Sequence, residues 1–162
     1  MKNKLIESAN IQDNKIIMTT QILAFEDDNK NKPEEASKGL PSGCNSLKWN
    51  TDRILDNQVY KIVNGGEIIG GIILFDLGYG KIEIGRIWIV PEHQNRGIGN
   101  AVFKELFLLH KEVIEWYIET PEWAKRNQYL YEKIGFKKIG EVDLIKVCGW
   151  REYKYRKKME QK

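Results

Sequence analysis

Long apolar segments and paired cysteines are both missing from this sequence. No apolar run approaches the length that crosses a membrane, and the N-terminus has basic residues without the extended apolar segment of a secretory signal. The two cysteines, Cys44 and Cys148, are far apart and lack the spacing of a metal-binding pair. Because free thiols are typical of reducing compartments, we expect a cytoplasmic protein with no membrane partner.

A strong charge of either sign is missing as well. The 162 residues include 26 Lys and Arg against 23 Asp and Glu, which gives a formal net charge of +3, and much of the excess lies in residues 151–162. A nucleic-acid interface needs basic residues spread over a face with aromatic residues between them, so we expect no nucleic-acid partner. The chain has no internal repeat and no linker. We therefore expect one domain over residues 1–162.

Apolar periodicity and turn residues predict the order of the elements. The predicted strands are 4–7, 59–63, 67–77, 81–90, 113–119, 136–142 and 147–157. The predicted helices are 11–25, 47–55, 97–111 and 122–133, and 26–42 is predicted to be a long loop. Glycine turns make strands two to four an antiparallel meander, whereas the fifth strand returns parallel to the fourth through a helix. These features predict a mixed α/β fold, with a mostly antiparallel sheet of about seven strands and helices on both faces.

The segment from Arg86 to Phe103 combines an apolar strand, a short polar loop and two glycines that open a helix. The first amides of a helix have no partner within the helix, and the helix dipole adds partial positive charge there. Glycine also lets a phosphate approach the backbone, because it has no Cβ atom. The segment therefore predicts a phosphate-binding site.

Several interpretations of these glycines compete. A dinucleotide-binding fingerprint would need a third glycine where Val102 stands, although Glu119 lies at about the distance expected for its acidic residue, some 20 positions on. A phosphate-binding P-loop would need Gly-Lys-Ser/Thr, and this chain has Gly99-Asn100-Ala101. The glycines also fit a purely structural role, in which they let helix and strand pack closely.

A longer pattern favours one interpretation. Residues 90–99, Val-Pro-Glu-His-Gln-Asn-Arg-Gly-Ile-Gly, resemble the acyl-CoA-binding motif of the GNAT superfamily of N-acyltransferases. Residues 129–136, Tyr-Leu-Tyr-Glu-Lys-Ile-Gly-Phe, are similar to a second motif of that family, and the order of elements is the family's as well. The resemblance covers the chain from Leu5 to about Lys157. It implies the GNAT fold and an acyltransferase, namely an N-acetyltransferase that moves an acetyl group from acetyl-CoA to a primary amine by direct attack in a ternary complex.

The resemblance also implies which residues bind coenzyme A. Pantetheine would pair with the fourth strand, and the pyrophosphate would take backbone amides of the glycine loop. The implied residues are Ile87, Trp88, Ile89, Gln94, Asn95, Arg96, Gly97, Ile98, Gly99 and Asn100. Many family members carry a CoA-contacting asparagine seven residues before the motif tyrosine, where this chain has Ala124. Asn127 is the candidate that takes its place.

Acyl transfer to an amine needs a donor for the carbonyl oxygen, an acid for the leaving thiolate and a base for the amine. The resemblance implies the Ile89 amide as the donor and Tyr131 as the acid, or as a hydrogen-bond donor to the thiolate. Of the two nearby tyrosines, we expect Tyr129 to be the one with a packing role. Two glutamates compete for the role of base. Glu83 is predicted to share the strand face of Ile87 and Ile89. Glu119, which we favour, ends the next strand, and an ordered water is the alternative to both.

The acceptor is the least determined part of the reaction. Five acids, Glu26, Asp27, Asp28, Glu34 and Glu35, would make the long loop favour a cationic amine, unless the loop is simply solvated. Aromatic residues could line an acceptor pocket or belong to the core, namely Trp49, Trp123, Tyr153 and Tyr155.

Further expectations concern metals and partners. His93 and His110 stand alone in the sequence, and neither cysteine belongs to a Cys/His arrangement, so we expect no metal and no covalent enzyme intermediate. A homodimer is compatible with the sequence. The alternative to an enzyme is a non-catalytic acyl-CoA-binding module that serves in sensing or interaction.

Overall fold

A seven-stranded sheet organises the computed structural model, which describes residues 4–36 and 38–160. Its strands are β1 (Ile6–Ser8), β2 (Val59–Asn64), β3 (Glu67–Gly78), β4 (Lys81–Ile89), β5 (Glu115–Pro121), β6 (Lys137–Leu144) and β7 (Trp150–Lys158). They lie in the order β1-β2-β3-β4-β5-β7-β6, and within the described residues β4 with β5 is the one parallel pair. The predicted mixed, mostly antiparallel sheet is confirmed.

Five α-helices accompany the sheet in the part of the chain that is described. They are α1 (Asn14–Asp28), α2 (Leu47–Leu55), α3 (Ile98–Leu109), α4 (Lys125–Ile134) and α5 (Ile145–Cys148), with short 3-10 turns at Ile11–Asp13, Asn29–Asn31 and Pro91–His93. The bounds of α2 agree with the prediction, whereas α1 continues through Asp28 into what was predicted to be loop. The four-residue α5 was not predicted.

The helices cover both faces of the sheet. On one face, α1 and α2 pack against a cluster that includes Ile73 and Trp88. On the other, α3 and α4 pack over Ile84 and Ile118, where Phe103 of α3 is fully buried. The two-sided coverage that the sequence predicted is confirmed, and each face buries its own apolar cluster.

A bulge in β4 changes which face Glu83 occupies. Ile73 of β3 pairs with Arg86 of β4, and the next residue of β3, Leu74, pairs with Ile84. Gly85 is therefore an extra residue in β4. An extra residue reverses the alternation of side chains beyond it. The prediction that Glu83 shares a face with Ile87 and Ile89 is therefore wrong. Glu83 lies opposite Phe75, on the sheet face that α1 and α2 cover.

The parallel strands β4 and β5 separate halfway along their length. Their pairing ends at Ile84 and Ile118, whereas β5 continues to pair with β7 as far as Pro121. The remainder of β4, up to Ile89, pairs with β3 alone. This separation leaves one backbone edge of β4 facing a gap.

None of the helices in residues 4–36 and 38–160 has both the length and the apolar character that crossing a bilayer requires.

Candidate active site

Two clefts meet at the gap between β4 and β5. The first, which we call the glycine-loop cleft, has a volume of about 720 Å³ and runs from β4 past the start of α3 to α4. It is lined by ten residues predicted to bind coenzyme A: Ile87, Trp88, Ile89, Gln94, Asn95, Gly97, Ile98, Gly99, Asn100 and Asn127. Arg96 is exposed and does not line it.

Backbone geometry shapes the glycine loop. Asn95 and Gly97 have φ angles of 63° and 77°, in the left-handed region that favours glycine and asparagine. Gly97 is the N-cap of α3 and directly precedes its first residue, Ile98, so the first amides of that helix have no partner within the helix. The Gln94 side chain donates to the Ile89 carbonyl over 2.8 Å. Arg126 of α4 donates to Asn95 Oδ1 over 2.7 Å, which brings a guanidinium to the loop.

The hydrogen-bond alternation of β4 decides where its amides point. The Val90 amide donates to the Ile69 carbonyl over 2.8 Å. In an antiparallel pair, hydrogen-bonded residues alternate with residues whose amides face the other way. The N–H groups of Ile87 and Ile89 are therefore turned from β3 toward the gap, as an added strand would require.

The second cleft, which we call the carboxylate cleft, has a volume of about 750 Å³. Its lining includes three acids, Asp28, Glu119 and Glu152, and residues 39–42 of the long loop. The two clefts share seven lining residues, namely Phe25, Asp28, Ile87, Trp123, Ala124, Asn127 and Tyr131. A molecule in one cleft can therefore meet a molecule in the other beside Tyr131.

Tyr131 is part of the core and of both clefts. Its ring packs against Phe103, Phe136 and Tyr155 at centroid distances of 5.8, 6.0 and 6.1 Å, and the residue is only 4% exposed. Burial raises the pKa of its phenol, and the nearby carboxylate of Asp28 raises this pKa further. Tyr131 therefore stays protonated near neutral pH and can donate a hydrogen bond.

The carboxyl group of Asp28 has an unusual environment for an acid. Burial, together with the neighbouring Asp27, raises its pKa from 3.8 to about 6, although Lys32 and Arg126 act in the opposite direction. Asp28 ends α1 at the point where the two clefts meet. Its position makes it a candidate proton acceptor.

The two predicted glutamates differ in their access to the clefts. Glu119 lines the carboxylate cleft, and one of its oxygens lies 3.7 Å from Lys154 Nζ. Glu83 lines neither cleft; burial and the nearby Glu119 raise its pKa, while Lys154 lowers it. Glu152 is a further acid in the cleft. Burial raises the pKa of its carboxyl group, while the hydrogen bond that it accepts from Trp150 lowers this pKa.

The family follows from a direct match. Residues 56–138, about half of the chain, match the family model described as an acetyltransferase (GNAT) domain. The chain belongs to the GNAT acetyltransferase family. Among curated proteins, the uncharacterised protein YrkN of Bacillus subtilis is 27% identical over 82 residues, which are 48% of this chain and 43% of that protein. The match therefore spans less than half of that relative's length.

Solved GNAT structures share the fold. The PaiA N-acetyltransferase from Thermoplasma acidophilum, solved in complex with coenzyme A, is 18% identical with a TM-score of 0.79, and the match covers 95% of this chain and 98% of that one. A GNAT acetyltransferase from Streptococcus agalactiae is 20% identical with a TM-score of 0.79, and the match covers 96% of this chain and 95% of that one. At these identities the likeness shows a common fold.

Some parts of this GNAT site were not predicted. The packing role given to Tyr129 is wrong, because that residue is 71% exposed while Tyr131 is buried. Arg126 and Glu152 carry no motif, so nothing in the sequence singled them out. Asp28 belonged to a run of acids that was assigned to the loop, and the structure instead places it at the end of α1.

The histidines and the other acids also differ in their surroundings. His93 does not stand alone, since its ligand atom and those of Glu67 and Glu92 all lie within 4.8 Å of one another, but exposed acids are commonly grouped without a metal. His110 Nε2 lies 2.8 Å from the Tyr60 hydroxyl. In the long loop, Glu34 and Glu35 are exposed.

The raised pKa of Asp28 predicts a pH-dependent change in stability. Because the native state binds this proton more tightly than the unfolded state, the contribution is full below pH 3.8 and is lost as pH rises through about 6. Asp28→Asn should therefore raise the free energy of unfolding by about 1–3 kcal/mol at about pH 8 relative to its effect at about pH 4. Urea unfolding measures both values.

The exposed Glu35→Gln is the matched control for that measurement, with an expected change within about 0.5 kcal/mol at either pH. An equal gain from Asp28→Asn at both pH values would contradict the assignment.

Proposed function

We propose that this protein is an acetyl-CoA-dependent N-acetyltransferase, which transfers the acetyl group to a primary amine by direct attack in a ternary complex. The observation that carries the proposal is the meeting of the two clefts beside Tyr131. Membership of the GNAT family supports acyl transfer, and the coenzyme A bound to the Thermoplasma protein supports the co-substrate.

In the proposed complex, coenzyme A occupies the glycine-loop cleft. Its pyrophosphate takes the first amides of α3, and Arg126 adds positive charge at Asn95. Pantetheine pairs with the Ile87 and Ile89 amides, as an added strand would. The predicted contact between Arg96 and a phosphate stays a prediction. Because the Arg96 side chain is exposed, it would have to extend back toward the loop to make this contact.

The proposed chemistry begins with removal of a proton from the ammonium group. The amine nitrogen then attacks the thioester carbonyl, the C–N bond forms, and the Ile89 amide stabilises the oxyanion. The oxyanion then re-forms the carbonyl as the C–S bond breaks, and the second proton of the nitrogen passes to the thiolate, which leaves as the thiol. Because burial raises the pKa of the Tyr131 phenol, this residue acts mainly by donating a hydrogen bond to the leaving sulfur.

The proposed base is Asp28, with Glu119 as the alternative that the sequence favours. A carboxylate with a pKa of about 6 accepts a proton better than an ordinary one. Glu119 also lines the carboxylate cleft, but Lys154 lies beside it. Glu83 lines neither cleft and would need a water to relay the proton.

The remaining expectations become part of the proposal. We propose a single domain in the cytoplasm, a reaction without a metal and no nucleic-acid or membrane partner; whether the protein is a homodimer is an untested prediction. Cys148 lines the carboxylate cleft, but no histidine is among the described residues that line it. Direct attack by the amine is therefore the simpler route than a covalent enzyme intermediate.

Release of the CoA thiol from acetyl-CoA tests the function directly. With a panel of primary amines, we expect amine-dependent release at least about tenfold above hydrolysis for some members. Calorimetry measures acetyl-CoA binding in parallel. Tight acetyl-CoA binding without amine-dependent release across the panel would contradict the enzyme and favour the non-catalytic acyl-CoA-binding module.

Tyr131→Phe should lower kcat by about 100-fold, because it removes a hydrogen bond that forms as the thiolate leaves. The KM for acetyl-CoA should change by no more than about threefold, since the ring is kept. Tyr129→Phe is the matched control, on an exposed tyrosine two residues away, and should keep wild-type kcat. Equal kcat values for the two variants would remove Tyr131 from the mechanism.

The pH profile of kcat/KM separates the two carboxylates. If Asp28 is the base, kcat/KM rises with pH through about 6, because the base works only when it is deprotonated. Asp28→Asn should abolish this rise and lower the rate, whereas Glu119→Gln should retain the rise. The reverse result would assign the base to Glu119.

A further inference from the structure

Two tryptophans form an aromatic corner in the carboxylate cleft. The rings of Trp123 and Trp150 are nearly perpendicular, at 88°, with centroids 5.6 Å apart. The Trp150 Nε1 donates to Glu152 Oε1 over 2.9 Å, which holds this ring in place. Both rings line the cleft beside Asp28.

A positive charge already lies on this corner. Lys32 Nζ is 5.2 Å from the Trp150 centroid and 5.9 Å from the Trp123 centroid, within the range of a cation–π interaction. The ammonium also donates to the Gly39 carbonyl over 3.0 Å. Burial lowers the pKa of Lys32, because the ammonium loses part of its hydration at this position. A cation that binds the corner more tightly than Lys32 can therefore displace it.

The fixed charges of the cleft also favour a cation. Three carboxylates line it, and Arg86 lines it as well, but the Arg86 guanidinium already has partners of its own. Arg86 donates to Gln21 Oε1 over 3.1 Å and to the Ser42 carbonyl, and it stacks over Trp49 at 4.5 Å. Lys32 is therefore the cation on the corner itself, carried by a flexible side chain.

We infer that the Trp123–Trp150 corner is a cation subsite for the acceptor, occupied by Lys32 in the free protein and by a second positive charge of the substrate during turnover. The acceptor class is therefore a primary amine that carries a second ammonium group. The inference rests on the proposed N-acetyltransferase function, because the reacting nitrogen is placed at Asp28 and Tyr131.

Three acceptors of equal chain length test the subsite: diaminobutane with an amine at each end, aminobutanol and butylamine. The diamine should have a kcat/KM at least about tenfold above the other two, mainly through a lower KM. Trp150→Leu should raise the KM for the diamine about tenfold and leave the KM for butylamine within about twofold. Similar KM values for the three acceptors would overturn the inference.

Substitutions at Lys32 provide a second test that does not depend on the fold of the corner. Lys32→Met should lower the KM for the diamine about threefold by removing the resident cation, whereas Lys32→Arg should not. Lys48→Met, on an exposed lysine paired with Asp52, is the matched control and should have no effect. A KM that Lys32→Met raises or leaves unchanged would overturn the inference.

Calorimetric binding of diaminobutane to the protein with coenzyme A separates failure of the inference from failure of the function. Diamine binding that Trp150→Leu weakens, without CoA release from any amine, would keep the subsite and overturn the transferase. Release from all three acceptors with equal KM would keep the transferase and overturn the subsite.

Discussion

The separation of β4 from β5 is the constraint on which the rest of the site depends. β5 is paired with β7 along its whole length, whereas its pairing with β4 ends at Ile118. The bulge at Gly85 turns the second half of β4 just where the pairing ends at Ile84, and Pro91 prevents the ladder from continuing. One backbone edge therefore stays open between two covered faces, and both clefts begin there.

Burial of charge gives the site its chemical character at a cost in stability. A carboxyl group whose pKa is raised to about 6 is held in a place that disfavours its charged form. Tyr131, beside it, is kept protonated by the same lack of water. The site thus holds a proton acceptor and a proton donor next to each other, and neither environment would be favoured by stability alone.

Local chemistry made much of this site predictable from the sequence, and long-range packing explains the rest. The glycine loop and the Tyr131 motif depend on a few consecutive residues, and the structure brings both to the glycine-loop cleft. Glu83 was assigned to the wrong face because one extra residue in β4 reverses the alternation of side chains between the two faces of the sheet. A single glycine such as Gly85 is not enough to predict a bulge from the sequence. Asp28 was missed because its pKa depends on where the end of α1 packs, which no local pattern encodes.

The two clefts differ in the groups that they offer to a ligand. The glycine-loop cleft offers mainly backbone amides, which a change of side chain leaves intact. The carboxylate cleft instead offers side chains from α1, the long loop and β7, and it depends on contacts between distant segments. Gly149 lies so close to Ala36 that a Cβ atom would come within 2.8 Å of its Cα, and Arg86 holds the loop at Ser42. Substitutions in these segments can therefore alter the carboxylate cleft while the glycine-loop cleft keeps its geometry. The sequence motifs cover the glycine-loop cleft, whereas any inference about the acceptor has to start from the packing of the carboxylate cleft.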